Sequence, residues 1–150
     1  MKDLNKLKWL AGALSLAVAG VWLTGCGDDN VRGGAASGTN APASIAAKSI
    51  THTITSGAAP LPGAGSFVLQ TDGSPGDVTG TYTITGSGGV SNSMGSYTYT
   101  MTDANAALLV LQDSVLGEVD ESMTFRTPNS GTFSSSTPSG GTQAGSFTTN

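Results

Sequence analysis

Gly80-Thr81-Tyr82-Thr83-Ile84-Thr85 and Gly95-Ser96-Tyr97-Thr98-Tyr99-Thr100-Met101-Thr102 alternate apolar and hydroxyl side chains at every second position. Tyr82 and Ile84 then share one face of an extended chain, and Thr81, Thr83 and Thr85 share the other. Tyr97, Tyr99 and Met101 oppose Ser96, Thr98, Thr100 and Thr102 in the same way. A period of two marks a half-buried strand. Threonine, being β-branched, suits its solvated face. The opening Gly, then Ser or Thr, then aromatic recurs at Gly65-Ser66-Phe67, Gly131-Thr132-Phe133 and Gly145-Ser146-Phe147. In each copy the glycine is expected to end a turn, the hydroxyl to face water and the aromatic to open the buried face.

Successive glycines of this motif lie 15, 15, 36 and 14 positions apart. The longest gap admits two further strands, and the short ones suit sequential antiparallel hairpins with no room for crossover helices. About eight strands are therefore predicted, over 48–55, 65–71, 78–86, 95–102, 105–112, 118–126, 130–136 and 143–149. Turn chemistry falls between them, as in Asp72-Gly73, Gly86-Ser87-Gly88-Gly89 and Pro128-Asn129-Ser130-Gly131. The expected fold is all-β: one antiparallel up-and-down meander over residues 48–150, forming a small closed or nearly closed barrel. Its expected core is Phe67, Leu69, Tyr82, Ile84, Tyr97, Tyr99, Leu109, Leu111, Met123, Phe125, Phe133 and Phe147. A domain of this size buries one core, and a small one.

The N-terminal part reads differently. Lys2, Lys6 and Lys8 precede an apolar run over 9–23, and a small residue stands before the chain's single cysteine, Cys26. Charge, apolar stretch and small-residue cleavage site in that order make a secretory signal over residues 1–25. The run has 15 residues and includes two glycines and a serine, short of the roughly 20 that a membrane-spanning helix needs. Leu23-Thr24-Gly25-Cys26 resembles the lipobox of bacterial lipoproteins. The resemblance implies cleavage before Cys26, acylation of its thiol with chains such as palmitate, and anchoring at a cell membrane or outer membrane, facing the periplasm or the cell surface. It also accounts for an unpaired cysteine in an exported chain.

Residues 26–47 carry Gly, Ala, Ser, Asn and Asp with isolated apolar residues, and are expected to form the lipidated cysteine and a flexible tether. Some 20 such residues would reach roughly 25 Å. In enteric bacteria, Asp directly after the lipidated Cys resembles an inner-membrane retention signal; here Gly27 holds that place. This favours an outer-membrane or surface destination.

Loss of residues 1–25 takes the net charge from −4 to −6 and leaves only Arg32, Lys48 and Arg126 positive. So few cations neither neutralise a nucleic-acid backbone nor form a polybasic patch for anionic lipid. The acyl chains are then the membrane contact, since two or more make anchoring stable.

Tyr97-Thr98-Tyr99-Thr100, Asp103-Ala104-Asn105-Ala106-Ala107-Leu108-Leu109, Met123-Thr124-Phe125 and Ser130-Gly131-Thr132-Phe133 together resemble a β-rich module of secreted and surface proteins of environmental bacteria. The resemblance covers roughly residues 48–149 and is similar to calycin-like barrels at the level of fold, which carries no site residues with it. One departure is the unbroken run Ala106-Ala107-Leu108-Leu109-Val110-Leu111. Leu109 and Leu111 continue the core face, leaving Leu108 and Val110 on the other. These two are covered by a loop or terminus, or belong to a strand buried on both faces, or they form a candidate partner patch.

Little else in the sequence points to chemistry. His52, the only histidine, alternates with Ile50 and Ile54 and is expected to be a half-buried structural ring. Asp72 with Asp77, and Glu118 with Asp120 and Glu121, supply carboxylates but not the ligand order of a calcium loop. No nucleophile elbow occurs. No catalytic residue, metal ligand or cofactor is predicted. The expected function is a non-enzymatic interaction or structural module of the envelope, contacting another envelope protein or polymer. The alternative is a small barrel binding or carrying an apolar ligand, for which an inner cavity is the distinguishing mark, a centre filled by Tyr and Phe side chains arguing against a carrier.

Overall fold

The computed structural model describes residues 38–150. The expected signal segment, Leu23, Thr24, Gly25, Cys26 and the expected tether as far as residue 37 lie outside the described residues.

The strands are β1 (Ser49–Ala58), β2 (Gly65–Thr71), β3 (Thr79–Ser87), β4 (Ser93–Asp103), β5 (Ala106–Asp113), β6 (Gly117–Thr127), β7 (Ser130–Ser136) and β8 (Thr142–Thr149). Each pairs antiparallel with the next, and β1 also pairs antiparallel with β8, so the meander closes into a barrel. Every predicted strand is present, with ends displaced by at most three residues. Closure removes the unpaired edges that an open sheet of this kind would expose.

Alternation places the expected core residues in the lumen, where all are buried except Ile84, which is half-buried. Ile84 faces inward but borders a cavity, so fewer side chains cover it. Ile50, Ile54, Ala107 and Val119 join the core in the same phase.

The repeated glycines do not all end turns. Gly80, Gly95, Gly131 and Gly145 lie within strands, two positions before an aromatic and therefore on its face. The register makes the pairs reciprocal: Gly80 stands opposite Tyr97 and Tyr82 opposite Gly95, while Gly131 stands opposite Phe147 and Phe133 opposite Gly145. A Cβ on Gly145 would lie 2.0 Å from the Thr53 carbonyl oxygen and 2.8 Å from the Phe133 ring. These glycines are spaces into which a neighbouring strand and its ring fit.

The expected tether extends too far along the chain. Ala41, Ile45 and Ala46 are buried where the chain crosses the barrel end carrying the β2–β3, β4–β5 and β6–β7 hairpins. The Ala41 N–H donates to the Ala104 carbonyl at 3.0 Å, and the Tyr99 hydroxyl donates to the Pro42 carbonyl at 2.8 Å. Thr71 Oγ1 donates to the Ile45 carbonyl and accepts from the Lys48 N–H. Isolated small apolar residues carry no period. Their burial comes from tertiary contact alone, which composition does not reveal. This segment plugs one end of the barrel.

Leu108 and Val110 point outward and are half-buried. Thr100 and Ser122 flank Leu108 in register, and Thr98 and Asp120 flank Val110. Short polar neighbours shield their sides and leave the two apolar tips on the outer face.

Candidate functional site

The end opposite the plug carries the β1–β2, β3–β4, β5–β6 and β7–β8 hairpins and holds a cavity of about 300 Å³. Leu61, Phe67, Leu111, Val119, Val90 and Leu116 supply apolar walls, and Asp113, Glu121, Ser93, Ser135 and Gln143 supply polar ones. Volume and mixture fall at the small end of the range usual for ligand pockets. A smaller cavity of about 240 Å³, bounded by Pro42, Ile45, Met123 and Phe147 among others, lies beneath the plug.

Glu121 is the unexpected member of the lumen. On β6 it falls in phase with Val119, Met123 and Phe125, so the pleat turns it inward, and it is 1% exposed. Glu118 and Asp120 are exposed, so the three acids grouped in the sequence do not form one cluster. His52, on β1, is wholly buried, more than its expected half-burial. Its Nε2 lies 2.9 Å from Glu121 Oε1, and Ser135 Oγ donates to Glu121 Oε2 at 3.1 Å. Strands β1 and β6 are not neighbours in the sheet, so the His52–Glu121 pair bridges the lumen. The imidazole stacks on Phe67 at 4.3 Å and 7°, and meets Phe133 edge-on at 4.8 Å. Its Nδ1 is buried with no hydrogen-bond partner among the described residues.

A signal for this pair exists in the sequence. Ile50-x-His52-x-Ile54 and Val119-x-Glu121-x-Met123 each place one titratable residue in an apolar phase. Which strands face each other across the lumen is a property of barrel closure, and the period of one strand does not carry it.

Asp113 closes the β5–β6 hairpin. Its Oδ1 accepts from the backbone N–H groups of Val115 and Leu116, and its Oδ2 from the Tyr82 and Ser93 hydroxyls at 2.7 and 2.6 Å. Burial alone would raise its pKa, but the bonds from Ser93, Tyr82 and the two backbone groups outweigh this and hold the carboxyl below its ordinary value. Burial first, then the hydrogen bond to Asp113 and its charge, push the Tyr82 phenol well above its usual range.

The turn acids are engaged locally. Asp77 accepts from the Ser74 N–H, and Asp72 from the Thr81 hydroxyl. No group of three or more His, Cys, Asp or Glu among the described residues is placed to hold a metal ion.

Ser135 donates to the Glu121 carboxylate and not to His52. Both cationic side chains among the described residues, Lys48 and Arg126, lie at the plug end: Lys48 just before β1 and Arg126 late in β6. The cavity thus combines apolar walls with carboxylates and lacks Lys and Arg. No protein-family model matches this chain, and no curated protein or solved structure matches it.

Proposed function

We propose that this is an exported protein, anchored in the cell envelope by acyl chains on Cys26, whose barrel binds a small, largely apolar ligand without transforming it. The cavity of about 300 Å³ at the end opposite the plug carries this reading. Aromatic side chains occupy the lumen between this cavity and the smaller one beneath the plug, so the ligand is small and sits at one end.

Displacement of an environment-sensitive apolar fluorophore tests the reading. The wild-type chain should bind the probe, and Val119→Trp, which fills the cavity from its wall, should weaken binding at least about tenfold while the fold is kept. Equal binding by both proteins would place the probe elsewhere and sink the proposal. Lipidation is checked by the mass of the N-terminal peptide purified from the native envelope. A second reading, docking of an envelope protein or polymer on the outer face, is favoured by the outward tips of Leu108 and Val110. Co-purification of a stoichiometric partner that Leu108→Thr with Val110→Thr abolishes at unchanged stability would select it.

A further inference from the structure

We propose that the ligand of the cavity is a small organic cation, an ammonium group on an apolar body, with Glu121 as the acceptor of its charged head. The inference rests on the ligand-binding reading above and names the class of ligand. A carboxylate carries about four lone-pair sites. Asp113 fills its sites with four donors, Tyr82, Ser93 and the backbone of Val115 and Leu116. Glu121, equally within the wall, has only two polar partners, His52 Nε2 at 2.9 Å and the Ser135 hydroxyl that donates to it at 3.1 Å. A buried carboxylate with acceptor capacity left over is costly unless a donor completes it. The buried and half-buried side-chain donors near the cavity are engaged, the Ser93 and Tyr82 hydroxyls on Asp113, Ser135 on Glu121, and the Gln143 amide nitrogen on the Pro62 carbonyl at 3.1 Å, while Ser91 lies exposed at the rim. The site therefore offers acceptors and wants donors.

Charge sharpens the selection. Asp113 and Glu121 both line the cavity, while Lys48 and Arg126 lie at the other end of the barrel. An anionic head, as on a fatty acid, would meet the carboxyl groups of Asp113 and Glu121 and neither Lys nor Arg, while His52 is turned to Glu121 at 2.9 Å and does not line the cavity. An ammonium group meets the opposite field and donates up to three hydrogen bonds. The walls of Leu61, Phe67, Leu111 and Val119 then take an apolar body. At about 30 Å³ per non-hydrogen atom, the liquid share of one water, the cavity holds on the order of ten such atoms.

Titration calorimetry of the full chain with phenethylamine, phenethyl alcohol and phenylacetate tests this, because the three probes share a body and differ in the head. The amine is expected to bind at least about tenfold tighter than the alcohol, and phenylacetate weakest. Glu121→Gln should bring the amine-to-alcohol ratio close to one while alcohol binding survives. Equal affinity of the wild-type chain for amine and alcohol, or an amine preference that Glu121→Gln leaves intact, would overturn the inference and leave the ligand-binding reading standing. Binding of none of the three, together with failure of fluorophore displacement, would overturn both. If Glu121→Gln does not fold, the wild-type order of the three heads decides alone, a preference for phenylacetate being the contrary result.

Discussion

Asp113 and Glu121 are carboxylates in the wall of one lumen, and the number of donors around each separates their roles. Four hydrogen bonds make Asp113 a structural anion that ties Tyr82 of β3 and Ser93 of β4 to the β5–β6 hairpin. Its pKa in the folded chain lies below the unfolded value, which is about 3.9. The stability it adds is therefore fully present above about pH 4 and is lost as pH falls through the lower, folded pKa. Asp113→Asn removes the charge and replaces one acceptor oxygen with a donor amide, so donors that met an anion are left unmatched. The expected loss is about 2–4 kcal/mol near neutral pH. The gap between variant and wild type should shrink as the pH falls below the unfolded value and through the lower, folded pKa, where the wild-type carboxyl itself becomes protonated. Urea midpoints measured along this range check both statements, and a gap that stays constant would remove Asp113 from the acid response.

The strand is the element whose period is written in the sequence, and its neighbour is not. Tyr82, Tyr97, Phe133 and Phe147 announce their strands through alternation, and all eight strands are readable for that reason. The reciprocal seating of Gly95 against Tyr82 and of Gly145 against Phe133 depends on register between strands, so the same glycines read alone as turn residues. Glu121 and His52 show the limit again: each lies in an apolar phase that could be read, but their pairing spans two strands that meet only across a closed barrel. Two glycines separate the roles of space and turn. Gly140 sits in the β7–β8 turn at φ +91°, with nothing within 4 Å of the place a methyl group would take, so Gly140→Ala meets backbone strain alone, about 1–3 kcal/mol. Gly145→Ala puts a methyl 2.0 Å from the backbone oxygen of Thr53, across the seam where β1 meets β8. Backbone on one side and the buried Phe133 ring, at 2.8 Å, on the other leave little that can yield, so we expect a larger loss, above about 3 kcal/mol, with failure of closure as the extreme. Melting temperatures of the two variants decide the order, and a Gly140→Ala protein that melts lower would show that turn geometry outweighs ring seating.

At the scale of the whole molecule the barrel has two unlike ends, one plugged by its own chain and one holding an acidic cavity. The plug is a few residues without internal secondary structure, so its order costs about 1–2 kcal/mol of backbone entropy for each residue fixed. Burial of Ile45 and hydrogen bonds from the Ala41 N–H and the Tyr99 hydroxyl offset that cost. Deleting the segment would release the entropy together with the contacts and obscure what the contacts contribute. A side-chain truncation separates them. Ile45, 2% exposed, belongs to the same core cluster as Ile50 and Met123, so Ile45→Ala should lower stability by about 2–4 kcal/mol, and Ile45→Val by about 0.5–1.5 kcal/mol. Leu61, Phe67, Leu111 and Val119 lie at the other end, and the affinity for an apolar probe should stay within about twofold of wild type in both variants, since distant sites with no shared partners act independently. Urea denaturation and fluorophore displacement on the same samples measure the two ends separately. Stability unchanged by Ile45→Ala would mean that the segment merely lies on the barrel; a joint fall in stability and affinity would mean that the plug shapes the cavity through the aromatic stack between them.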